Sequence, residues 1–206
     1  MAGIEETRFC ATGRAFIELR DAALARADRP SWDAWVATLR EDVGAAAATE
    51  DPRAFFREKM YFLALHAADA RFGDDGSFAH SLGVARANAA LVADKAEFEG
   101  DPLRFLRLGA SAFYRDFLNY GATSLELVPK RAIVRFVLSE LFTIKRDEGP
   151  NRTPNLLLGF LERAVEVLGG EAQGARYTGH ALRADTRFGR PLYNQHYEFD
   201  LDVDEE

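Results

Sequence analysis

The stretch that decides the fold is residues 102–138, PLRFLRLGASAFYRDFLNYGATSLELVPKRAIVRFVL. Its first half sets Leu103, Phe105, Leu106, Leu108, Phe113, Phe117 and Tyr120 at helical spacing, with Arg104, Arg107, Arg115 and Asp116 as the wet side. A helix with a broad apolar face is predicted over 102–120. After Gly121 the period changes. Segments 123–128 (TSLELV) and 132–138 (AIVRFVL) are rich in β-branched and apolar residues and are separated by Pro129-Lys130-Arg131, which reads as a hairpin.

Toward the N-terminus the punctuation is helical. Asp51-Pro52, Asp101-Pro102 and Thr153-Pro154 each pair a capping residue with a proline, which fixes φ where its missing N–H costs nothing. Ser31 after Pro30 is a fourth start, and Gly73, Gly100, Gly121 and Gly169 are the matching stops. These signals predict helices near 31–42, 52–72, 77–96, 102–120 and 154–168. Residues 9–17 read as a further strand, Ala45–Ala48 as a loop or frayed helix end, and 143–153 as a mobile loop.

Toward the C-terminus, 175–184 (ARYTGHALRA) reads as a weaker strand. The last stretch alternates, with Tyr193, Tyr197, Phe199, Leu201 and Val203 on one face and Asn194, His196, Glu198, Asp200 and Asp202 on the other. That is the pattern of a half-buried antiparallel strand with an acidic outer face. The fold class expected is α+β: an N-terminal helical layer on a small antiparallel sheet of two hairpins with a helix between them. One domain is expected over 1–206.

The chain has 206 residues, 48% of them apolar, and a formal net charge of −7, with an acidic pI near 5.2. Wholesale disorder is excluded, and the acidic balance argues against a nucleic-acid partner. The single cysteine, Cys10, allows no internal disulfide and reads as a buried, inert thiol. No basic and apolar leader opens the chain, and no apolar run reaches the roughly 18 residues of a membrane span. A cytoplasmic location is the expectation.

Two runs carry a resemblance. FLRLGASAFYRDFLNYGATSLELVPKRAIVRF ends a helix in a tyrosine–glycine stop before a hairpin, and LLLGFLERAVEVLGGEAQGARYTGHALRADTRFGRPLYNQHYEFDL gives a helix, a glycine stop and a closing hairpin. Together they resemble the superfamily that joins 4-vinyl reductase-type sensor domains, TRAPP-like trafficking subunits and haem–nitric-oxide-binding domains. The resemblance is closest to bacterial members of unassigned function and covers roughly residues 52–203. It implies a ligand-binding, regulatory or assembly module, often dimeric. Vinyl-reductase-type domains tend to carry cysteines in the closing hairpin, one near the position of His180, and this chain has none there. The Y-x-S-x-R signature of the haem-binding members is also missing. No haem is carried over.

The residues themselves offer few sites. If the closing hairpin turns near Phe188-Gly189, His180 and His196 fall opposite each other, close enough to share a metal, with Glu198 or Asp185 to complete the set. The plainer reading makes both histidines ordinary polar-face residues, and neither zinc nor any other cofactor is expected. His66 reads as a core histidine and His80 as a candidate general base. Phe56, Met60, Phe105, Phe113 and Phe117 are read first as core and second as the lining of an apolar ligand pocket. The function expected is a non-catalytic regulatory or sensory module, a homodimer that binds an apolar small ligand or a protein partner. The rival readings are a structural protein acting as an obligate homodimer and, last, a metal-assisted enzyme.

Overall fold

The computed structural model describes residues 10–108, 110–114, 117–118, 121–139, 151–170, 172–185 and 192–203. In chain order these form β1 (Cys10–Thr12), α1 (Gly13–Leu24), α2 (Arg29–Val36), α3 (Glu41–Ala47), β2 (Phe55–Arg57), α4 (Glu58–Phe72), α5 (Ser77–Phe98) and α6 (Pro102–Leu108). A 3-10 turn (Ala110–Tyr114) leads to β3 (Ala122–Val128), β4 (Arg131–Ser139), α7 (Thr153–Leu168), β5 (Ala172–Asp185) and β6 (Leu192–Val203). The chain is α+β, as its period switch requires. No described helix is long and apolar enough to cross a membrane.

The second half follows the pattern closely. Strands β3, β4, β6 and β5 make an antiparallel sheet in that order. Ala132, Val134, Phe136 and Leu138 of β4 and Tyr197, Phe199 and Leu201 of β6 form its buried inner face. Against it α7 sets Leu156, Leu157, Phe160, Leu161 and Ala164, all fully buried. The outer face is a charged lattice: Arg131 to Asp200 at 3.0 Å, Arg135 to Glu126 at 2.8 Å, and Arg176 to Asp202 at 2.9 Å.

In the helical layer the differences are instructive. The segment read as a strand over residues 9–17 is a strand only to Thr12, after which α1 buries Ala15, Phe16, Leu19 and Ala23 along one stripe. The helix expected over 31–42 is two, α2 and α3, because Leu39 N–H turns back to the Val36 carbonyl at 3.1 Å. Of the two readings of Ala45–Ala48, a loop or a helix end, the structure has the helix end, α3 running as far as Ala47, in keeping with alanine's helix propensity.

Asp51-Pro52 does not start a helix. Asp51 Oδ1 accepts from Arg53 N at 2.9 Å, an Asx turn, and β2 follows before α4 begins at Glu58. The helix expected over 102–120 ends at Leu108 and gives way to the 3-10 turn, whose Tyr114 hydroxyl donates to the Ala122 carbonyl at 2.9 Å. Most of the mobile-loop expectation, at 143–150, lies outside the described residues, as does Tyr120.

Two helices lie unusually close. A Cβ on Gly83 of α5 would stand 2.0 Å from the Leu156 carbonyl oxygen, and one on Gly159 of α7 would stand 2.1 Å from that of His80. Each glycine seats the other helix's backbone. This reciprocal crossing fixes α7, and with it the start of β5.

Candidate functional site

Helix α7 stops where Gly169 (φ +67) and Gly170 (φ +94) enter the left-handed region, which reverses the chain directly into β5. The first bulge of β5 falls between Gln173 and Ala175, at Gly174 (φ +47). Helix and bulged strand stay in contact but leave a concavity along their junction. Between them lies a groove of about 560 Å³ with Val165, Ala172 and Ala175 as apolar walls and Glu162, Glu166 and Gln173 among its polar lining. Glu162 also takes His80 Nε2 at 2.6 Å, and Glu166 takes Arg163 at 2.7 Å. The volume is that of a small-molecule site.

Farther along β5 the inner face carries Tyr177 and His180. The Tyr177 hydroxyl and His180 Nδ1 are 2.9 Å apart, and the His180 ring stacks on Tyr197 with centroids 5.6 Å apart. Tyr197 is buried, its hydroxyl accepting from Asn151 Nδ2 at 3.0 Å. Burial pushes the Tyr197 phenol up to about 12, against the Asn151 hydrogen bond, which favours the charged form. Burial raises the Tyr177 phenol as well.

The raised phenol has a measurable consequence. Below pH 10 the Tyr197 hydroxyl is protonated in both folded and unfolded chains, and its contribution is complete. Between about pH 10 and about pH 12 the unfolded chain sheds the proton first, so stability falls as pH rises. The loss attributable to Tyr197 is expected to reach about 2 kcal/mol. Urea unfolding of Tyr197→Phe across this window should show a correspondingly shallower decline than the unmodified chain, and equal slopes would contradict the assignment.

The expected histidine pairing is corrected by the register. His180 lies opposite Tyr197, and His196 opposite Ala181. The two therefore project to opposite faces, because a one-residue offset exchanges the faces of a strand. The cause is the second register shift of β5, between Tyr177 and Gly179, without which the pairing of Tyr177 with Phe199 would run on to pair His180 with His196. Glu198 faces outward, 3.4 Å from Arg135, and Asp185 lies at the far end of β5 opposite Leu192. Among the described residues, no group of three or more His, Cys, Asp or Glu side chains is placed to hold a metal.

The five apolar candidates separate into two groups. Phe105, Phe113 and Phe117 are at most 1% exposed. Phe113 meets Phe117 at 5.5 Å, Phe160 at 5.1 Å and Phe136 at 5.5 Å between centroids, mostly edge to face. These rings fill one another's space. Phe56 and Met60 are half-buried at the margin of the core, and Phe56 connects to Phe117 through Phe16 and Tyr61. His66 is buried, and Cys10 is buried with its thiol pushed up by burial and by Glu58.

Four charged side chains are buried among the described residues, Glu58, Asp69, Arg86 and, on the outer face of β6, Asp200, and none was singled out by the sequence reading. Arg86 of α5 is 7% exposed, stacks on Phe117 at 4.2 Å, donates to the Phe113 carbonyl and pairs with Glu18. Asp69 of α4 is fully buried and pairs with Arg152 at 3.0 Å. Arg86 and Asp69 each continue an inward stripe, Ala79–Leu82–Arg86 and Phe62–Leu65–Asp69. A charge on such a stripe is the signal that marks them.

Comparison with known proteins adds no relative: no family model, curated protein or solved structure matches this chain.

Proposed function

We propose that this chain is a non-catalytic regulatory or sensory module that binds an apolar small ligand in the groove between α7 and β5. The observation that carries this reading is the groove itself. It is a concavity of about 560 Å³ with Val165, Ala172 and Ala175 on its walls and carboxylates at Glu162 and Glu166. Small-molecule sites typically combine apolar walls with a few polar groups that fix orientation. A ligand of matching chemistry is mainly apolar and carries a hydrogen-bond donor at one end. The position supports a signalling role, since occupancy would bear on the Gly169–Gly170 reversal that joins the helical layer to the sheet. The superfamily resemblance points in the same direction.

Titration with Nile red, a neutral apolar dye, tests the site. Saturable fluorescence enhancement at one site per chain is expected, with strong weakening in Ala175→Trp, where an indole fills the groove. The variant's urea midpoint serves as the check on folding. Enhancement that never saturates, or that is unchanged in a folded Ala175→Trp protein, would overturn the reading.

A further inference from the structure

The sheet has two edges, and they are built differently. Strand β5 is interrupted by two bulges, a common device against edge-to-edge pairing. Strand β3 carries no such guard. Its seven residues pair with β4 in unbroken register from Ala122 to Val128, with no proline among them. Its one charged side chain, Glu126, is held by Arg135 on its own sheet at 2.8 Å. Beside this edge stand exposed leucines: Leu127 on β3, 52% exposed, and Leu108 at the end of α6, 61% exposed. Helix α6 packs against β3. Among the described residues, no strand pairs with the free side of β3.

We propose that the β3 edge is the docking surface for a second copy of this chain, joined antiparallel about a two-fold axis at Leu125. In this register Leu125 meets Leu125, Thr123 meets Leu127, and Ser124 meets Glu126 of the second copy. All seven residues are used, and no like charges stand directly opposite. The two-fold keeps both helical layers on the same side of an eight-stranded sheet, so the exposed Leu127 side chains are covered by the other copy's inner face. A self-complementary patch is what a closed dimer requires. The proposal does not depend on the ligand groove, which lies at the opposite edge.

Sedimentation equilibrium of the full chain at micromolar concentration tests it. A mass of twice 22.9 kDa is expected. Ser124→Glu, which places a carboxylate opposite Glu126 of the second copy, should weaken association by about tenfold or more, while Ser124→Lys should tighten it. Within one chain the signs reverse, because Ser124 lies opposite Arg135. Loss of folding therefore cannot mimic the result. Tyr177→Lys, on the bulged edge, should leave the mass unchanged. A single-chain mass at every concentration, a dimer indifferent to both Ser124 substitutions, or a dimer split by Tyr177→Lys would each overturn the proposal. A single chain that still binds Nile red would overturn the dimer and leave the groove standing.

Discussion

Gly159→Ala is expected to lower the unfolding free energy by about 2 kcal/mol, although the same change in an isolated helix would stabilise it by about 1 kcal/mol. The new methyl would stand 2.1 Å from the His80 carbonyl oxygen, far inside van der Waals contact, and its obstacle is backbone. Rotamer changes cannot relieve it. The helices must separate, and Phe160 and Leu156, fully buried on the same face, lose contacts with them. Overpacking of about 3 kcal/mol therefore outweighs the gain in propensity. Gly83→Ala, with its Cβ 2.0 Å from the Leu156 carbonyl oxygen, should behave alike. The double variant should cost less than the two singles combined, since one separation of the helices accommodates both methyls. Urea midpoints of the three variants measure this, and stabilisation by either alanine would contradict the close crossing.

Asp69→Ala is expected to cost more, about 4 kcal/mol. The carboxylate is fully buried, accepts from Gly76 N and Ala79 N at 2.9 Å each, and pairs with Arg152 at 3.0 Å. It closes the α4–α5 turn and ties it to the start of α7. Removing it leaves two amides and a guanidinium short of their acceptor in a buried place. Arg152 retains only Asp75, which is 96% exposed and a poor substitute in water. Asp69→Asn keeps the shape but forfeits the charge and turns an amide NH2 toward one set of donors, so partial rescue is the most it should give. Denaturant unfolding gives the totals, and amide exchange at Ala79 reports the local opening. A loss below about 1 kcal/mol in Asp69→Ala would contradict the role assigned to this carboxylate.

How far the sequence could be read depended on whether a local signal had one physical meaning. Alternation in Tyr193–Val203 has one, and β6 follows it with Tyr197, Phe199 and Leu201 fully buried. The aspartate–proline pair has two. Asp101 Oδ1 accepts from Arg104 N, three residues on, and caps α6, whereas Asp51 accepts from Arg53 N, two residues on, and makes a turn. Only tertiary context decides between them. Helix α1 was hidden because Thr12 makes no side-chain cap bond and the chain enters directly from β1.

The groove was harder still. Its shape depends on Gly174 and the bulge it permits, and a second bulge, between Tyr177 and Gly179, separates His180 from His196. Glycines inside a strand pattern mark such bulges, and Gly174 and Gly179 were in view. What sequence alone does not supply is the direction in which the register slips. The aromatic candidates failed to separate core from cavity for a related reason: Phe105, Phe113 and Phe117 have the spacing of either, and only their mutual centroid distances identify them as filling.

Occupancy of the α7–β5 groove by a small apolar molecule can be read on the intact chain. Native mass spectrometry of the chain purified from its own host tests it most directly. A discrete non-covalent mass above the 22.9 kDa of each chain is expected, extractable into organic solvent and absent from folded Ala175→Trp protein. A bare chain in every preparation, or the same added mass retained in that variant, would contradict it.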